Sequence, residues 1–135
     1  MRAILLISHG NYAEAFKNSL EMVAGNVEHV YTTCLLPTDG PKSFTEKLMA
    51  IESKLINYDE VLIFADLFGG TPLNTAFQHF AKSDKFNFIA GMNFSMVLQA
   101  ILSDDLDRLS LVEVGKDSIV DIREFIKSMT IDINE

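Results

Sequence analysis

The chain runs to 135 residues, 48% of them hydrophobic, which suits one domain spanning residues 1–135 with a sizeable core. Eleven Lys and Arg against nineteen Asp and Glu give a net charge of -8, which repels nucleic acid and anionic membrane and suits a basic protein partner or a small neutral ligand. The one cysteine, Cys34, excludes an intramolecular disulfide, fits a reducing cytoplasm and reads as a small buried hydrophobe.

Arg2 to Ser8 carries the unbroken run Ala3, Ile4, Leu5, Leu6 and Ile7, the pattern of a strand buried on both faces of a parallel sheet, and His9-Gly10 marks the turn at its end. The same turn ends the run too early for the core of a secretory leader, and no later run approaches membrane-spanning length. Tyr12 to Ala24 is predicted helical, with Ala13, Phe16, Leu20 and Val23 on one face and Gly25-Asn26 as its stop. Val27 to Leu36, rich in β-branched and aromatic residues, predicts a second strand ended by Pro37. Pro41 then opens a second helix along Phe44, Leu48, Ile51 and Leu55, in preference to a later start at Ser43.

Val61 to Ala65 predicts a third buried strand that stops at Asp66. After Leu67 and Phe68, Gly69-Gly70 free the backbone to turn, Thr71 offers a capping hydroxyl, and Pro72 suits the first helical position. Leu73, Ala76, Phe77 and Phe80 form the apolar stripe of the helix that follows. Phe86 to Gly91 is a fourth strand, with Asn93 capping a helix through Val97, Ala100 and Ile101. Leu106 to Val114 reads as a short helix, Ser118 to Arg123 as an added edge strand, and the residues after Met129 as a fraying end. Four successive strand-helix units predict an α/β fold, an open and mostly parallel sheet in the order 2-1-3-4 with helices on both faces.

That order puts His9, at the end of strand one, beside Asp66, at the end of strand three, over the glycine turn. A carboxylate that accepts from one ring N–H fixes the tautomer and leaves the other nitrogen as a nucleophile, while free amides at a helix start suit negative oxygens. Singly, each feature has a plainer reading. A lone strand-end histidine is usually a solvated turn residue, Asp66 could be an Asx-turn, and Gly69-Gly70-Thr71-Pro72 could be ordinary cap chemistry. Their coincidence at one sheet edge is what marks a site. His29 and His79 lack such company, and Met22, Met92 and Met96 read as packing residues, with Met22 a possible border of the site.

With these residues in view, the sequence resembles the enzyme IIA proteins of the mannose class of the bacterial phosphoenolpyruvate-dependent sugar phosphotransferase system. The likeness rests on Ser8-His9-Gly10, Leu20-Glu21-Met22, the stretch Asp66-Leu67-Phe68-Gly69-Gly70-Thr71-Pro72, and Ile89-Ala90-Gly91-Met92-Asn93. It implies that His9 accepts a phosphoryl group from the phosphocarrier HPr and passes it to a histidine of a IIB subunit, serving uptake of a sugar of the mannose, fructose, sorbose or N-acetylgalactosamine class. It implies further that Asp66 orients the ring and that Gly70 and Thr71 bind the phosphoryl oxygens, with no metal or cofactor. Phe68 stands where the family often has an indole and Thr71 where it often has serine; both keep the role, an aromatic platform and a capping hydroxyl. The added strand of the tail would then be exchanged within a homodimer in the cytoplasm, and any membrane association would come through other subunits.

Two further enzyme readings and one signalling reading compete with this one. A small chelatase also carries a His-Gly turn after its first strand but needs more metal ligands than this chain sets at ligand spacing. A histidine phosphatase wants an arginine where Ser8 stands. A receiver-like module phosphorylated on Asp66 wants an acidic pair at the end of strand one, where this chain has Ser8-His9.

Overall fold

In a computed structural model, which describes residues 1–134, the two most apolar runs lie side by side at the centre of the sheet. β1 (Arg2–His9) pairs in parallel with β3 (Glu60–Ala65), Ile4 opposite Leu62 and Leu6 opposite Phe64. β2 (Val30–Leu35) flanks β1 and β4 (Phe86–Ala90) flanks β3, giving the order 2-1-3-4 with all pairs parallel. The central strands are apolar on both faces because both faces are covered. Ile4, Leu6, Leu62 and Phe64 pack under α1 (Tyr12–Ala24) and a later helix, α4 (Phe94–Leu102). Ala3, Leu5, Ile7, Val61, Ile63 and Ala65 pack under α2 (Pro41–Glu52) and α3 (Thr71–Phe80). Burial of this kind contributes about 1.5–3 kcal/mol for each large aliphatic side chain.

Several expectations need correction at element ends. Residues 27–29 form a turn before β2, closed by the Val30 amide on the Val27 carbonyl at 3.0 Å. The cap position of α3 belongs to Gly70, not Thr71, because the chain arrives there at φ 85 and ψ 165, outside the reach of an ordinary capping residue. Val23 and Phe77, expected in the core, are exposed. The short helix of the tail is α5 (Arg108–Asp117), whose first turn is capped by Asp107 accepting from the Ser110 amide at 2.8 Å.

The predicted edge strand at Ser118 to Arg123 is absent. Residues 118–121 are irregular, and α6 (Ile122–Asn134) follows, continuing through the segment expected to fray. Asp121 explains the outcome: its side chain accepts from the Glu124 amide at 3.0 Å and starts a helix along which Ile122, Phe125, Ile126 and Met129 recur at helical spacing. α6 makes no more than marginal contact with any other described element. Among the described residues no helix is long and apolar enough to cross a membrane.

At the edge of the sheet away from the strand ends, Arg2 is buried and bonds three carbonyls at the end of α4 and beyond: Leu106 at 2.7 Å, Ser103 at 3.1 Å and Ala100 at 3.2 Å. A guanidinium at a helix C-terminus satisfies carbonyls that the helix leaves open and complements its dipole. It anchors α4, and with it the far side of the domain, to the first residues of β1.

Candidate active site

The carboxyl ends of β1 and β3 meet where the winding of the sheet reverses. There the Asp66 Oδ2 accepts twice from one residue, from the His9 backbone N–H at 2.9 Å and from the ring Nδ1 at 3.0 Å. A carboxylate can only accept, so Nδ1 carries a proton, and in the neutral ring Nε2 keeps its lone pair. The imidazole is 45% exposed and the aspartate 15%, so the ring reaches solvent over a carboxylate held within the fold. The other oxygen, Oδ1, is buried and has no hydrogen-bond partner among the described residues, where the bonding of this carboxylate falls on His9.

The glycine turn closes against the ring. Gly69 and Gly70 take φ 79 and 85, a region open to glycine and strained for other residues. At Gly70 the approach is close: a Cβ built there would lie 3.0 Å from His9 Cε1 and 3.3 Å from Nε2. The backbone therefore lies against the edge of the ring that carries the free lone pair. α3 begins at once, with Pro72 in its first turn and the Asn74 amide closing on the Gly70 carbonyl at 3.1 Å. The earliest amides of a helix have no acceptor within it and favour anions. Among the described residues no Lys or Arg side chain bonds His9 or Asp66. At the adjacent end of β2, the Lys47 ammonium instead bonds Asp39 Oδ2 at 2.5 Å and the Cys34 carbonyl at 3.0 Å, and it holds the Asp39 carboxyl below the usual carboxylate range, helped by the Leu36 amide and the Ser43 hydroxyl.

Of the residues singled out in the sequence, His9, Asp66 and Gly70 come into contact, and Thr71 opens α3 directly behind them. Phe68 crowns the turn, 86% exposed, and also lines a cleft of 720 Å³ at the outer edge of β4 that does not include His9. Met22 is exposed ten residues along α1 from Tyr12, about 15 Å of helix rise from the turn. Sequence reasoning passed over Ser8, whose hydroxyl accepts from the Ala13 amide at 2.8 Å and donates to the Gly10 carbonyl at 3.1 Å. The available signal was a polar residue closing an otherwise apolar run. Among the described residues no three His, Cys, Asp or Glu side chains gather as a metal site would require.

Comparison with known proteins places this geometry in context. Residues 3–114 match the family described as EIIA-man, PTS system fructose IIA component. The chain is 34% identical over 101 residues to the PTS system sorbose-specific EIIA component of Lacticaseibacillus casei, covering 74% of this chain and 72% of that protein. It is 30% identical over 105 residues to the PTS system mannose-specific EIIAB component of Escherichia coli K12, covering 78% of this chain but only 32% of that longer protein. The fold superposes with a TM-score of 0.86 and 27% identity on the crystal structure of the PTS IIA protein associated with the fucose utilization operon from Streptococcus pneumoniae, covering 93% of this chain and 96% of that one.

Proposed function

The chain belongs to the EIIA-man family, the mannose-class IIA components of the sugar phosphotransferase system, and on that footing we propose that His9 is its phosphoryl acceptor, charged by phosphorylated HPr and discharged to a histidine of a IIB subunit on the cytoplasmic side. The observation that carries this is the 3.0 Å bond from His9 Nδ1 to Asp66, which leaves Nε2 as the free nucleophile against Gly70. The Nε2 lone pair attacks phosphorus, a bond from Nε2 to phosphorus forms, and the bond to the donor's histidine nitrogen breaks with its electron pair leaving on that nitrogen. Asp66 keeps Nδ1–H in place and balances the positive charge that the ring acquires, and the amides at Gly70 and Thr71 receive the phosphoryl oxygens. One N–P bond replaces another, so the step is nearly balanced and its demands are alignment and charge stabilisation. A relay of this kind touches proteins and a phosphoryl group, so no residue of the site encodes the sugar.

The chemistry of the bound label tests the assignment. HPr is charged by its upstream enzyme with magnesium, chelator is added, and label is passed to this protein and on to IIB. The label on this protein should survive alkali and be lost in acid, as a phosphoramidate is, and transfer should continue after chelation. Label lost in alkali would move the phosphoryl group to the Asp66 carboxylate, and transfer that stops on chelation would call for a metal-dependent step. An aspartyl acceptor already fits poorly, since a nucleophilic carboxylate must present an oxygen and that of Asp66 is engaged by His9 or buried.

The working form in this reading is a homodimer, built by a helix where an exchanged strand was expected. The cleft beside β4 is lined by Phe68, Leu73, Phe77, Phe88, Leu109 and Val112 together with Arg108, and α6 exposes Ile122, Phe125 and Met129. Each copy thus carries both an apolar groove and an apolar helix, and two copies related by a twofold axis cover both, with Asp121 and Glu124 of the helix available to Arg108. Light scattering should report a dimer for the intact chain and a monomer for Phe125→Glu or Leu109→Glu. A dimer unchanged by both substitutions would refute this seat.

A further inference from the structure

We propose that Ser8 is a positioning residue for phosphoryl transfer, holding the His9–Gly10 turn at the angle that presents Nε2; this rests on the reading of His9 as acceptor. Ser8 is fully buried, the one hydroxyl closing a strand whose residues Ala3 to Ile7 are all apolar. A hydroxyl there is costly unless bonded, and an alanine would satisfy packing alone. Both of its strong bonds serve the same short segment. As acceptor it takes the Ala13 amide at 2.8 Å, and as donor it gives to the Gly10 carbonyl at 3.1 Å. Asn11, which occupies the cap position of α1, makes no side-chain cap bond, so Ser8 does the capping from the strand side.

The consequence falls on His9, which lies between Ser8 and Gly10. Gly10 takes φ 58, turning its carbonyl back towards Ser8, while its amide donates to the Leu35 carbonyl at 2.7 Å on β2. The His9 amide and ring are both held by Asp66, the residue just past β3. The turn is therefore gripped by three elements at once: β2 through Leu35, β3 through Asp66, and α1 through Ser8. Without the hydroxyl, the Gly10 carbonyl and the first turn of α1 are released together. His9 then keeps its partner but loses the fixed backbone that sets the ring against Gly70.

The test compares Ser8→Ala and Ser8→Cys, the latter under reducing conditions, with wild type and with Ser8→Thr, which keeps the hydroxyl. Ser8→Cys fills the site but replaces a strong acceptor with a weak one. We expect transfer from charged HPr at saturating donor to fall about tenfold to a hundredfold in Ala and Cys, with KM for HPr unchanged and recovery in Thr. Ring 15N spectra should keep the Nδ1–H tautomer of His9, since Asp66 remains its partner, while the Nε2 resonance broadens in the two impaired variants as the ring loses its fixed place against Gly70. Asp107→Ala, which removes the cap of α5 far from the turn, is the control for lost stability and should leave transfer intact. Wild-type turnover in Ser8→Ala or Ser8→Cys, or a loss matched by Asp107→Ala, overturns the proposal. If wild type itself takes no label, the failure lies with His9 as acceptor and not with Ser8.

Discussion

His9→Ala is expected to abolish label uptake from phosphorylated HPr and to leave far-UV circular dichroism and thermal unfolding near wild type. The ring is 45% exposed and its polar contact is to Asp66, so its removal takes little from the core. Surface substitutions of this kind usually change stability by about 0.5 kcal/mol or less. The Asp66 carboxylate keeps the backbone N–H of residue 9 at 2.9 Å, so the loop retains one of its ties. Chemistry has no such reserve. His29 precedes β2 at the opposite end of the sheet, and His79 bonds Glu52 at 2.9 Å across α2 and α3. Asp66→Asn should keep the shape and lose the charge, slowing acceptance by about 10²-fold while leaving some label. Label retained at wild-type level by His9→Ala would defeat the assignment, and wild-type rates in Asp66→Asn would mean that the pairing has no part in transfer.

Much of the fold was legible because the informative signals were redundant. The runs Ala3–Ile7 and Val61–Ala65 could only be central strands, the first closed by Ser8-His9-Gly10 and the second by Asp66 ahead of the Gly69-Gly70 turn, so the sheet order alone brought His9 to Asp66. What the sequence hid depends on contacts far apart in the chain. Arg2 opens β1, and nothing local says that its guanidinium will meet the carbonyls of Ala100, Ser103 and Leu106. The tail misled for another reason. Ile119, Val120 and Ile122 satisfy a strand pattern over a short window, and only the longer spacing to Phe125 and Met129, with Asp121 as cap, identifies a helix. Phe77 sits on the predicted stripe yet stands open, because it turns to Phe88 at 5.1 Å across the cleft beside β4, a surface that a single chain leaves uncovered. The shift of the α3 cap from Thr71 to Gly70 is a matter of one residue's φ, which side-chain preference cannot report.

Gly70→Ala should cost the protein nearly all of its transfer rate, and Gly69→Ala should not, although the two place the same strain on the backbone. Both glycines lie in the left-handed half of the map, φ 85 and 79, so each alanine destabilises by about 1–2 kcal/mol. They differ in what the new methyl meets. At Gly69 there is nothing within 4 Å, whereas at Gly70 it falls 3.0 Å from His9 Cε1 and 3.3 Å from Nε2. The ring can yield only by lengthening its 3.0 Å bond to Asp66, and if it does not yield, the methyl covers the nitrogen proposed as the phosphoryl acceptor. Either way the nucleophile is misplaced or shielded, and a displacement of about 1 Å is enough to lose 10²-fold in rate. We therefore expect similar losses in melting temperature for the two variants, with label uptake down by more than about 10²-fold in Gly70→Ala and within about tenfold of wild type in Gly69→Ala. Equal losses of transfer would make loop strain the cause, and full activity in Gly70→Ala would mean that the incoming phosphoryl group does not approach His9 along the face that Gly70 borders.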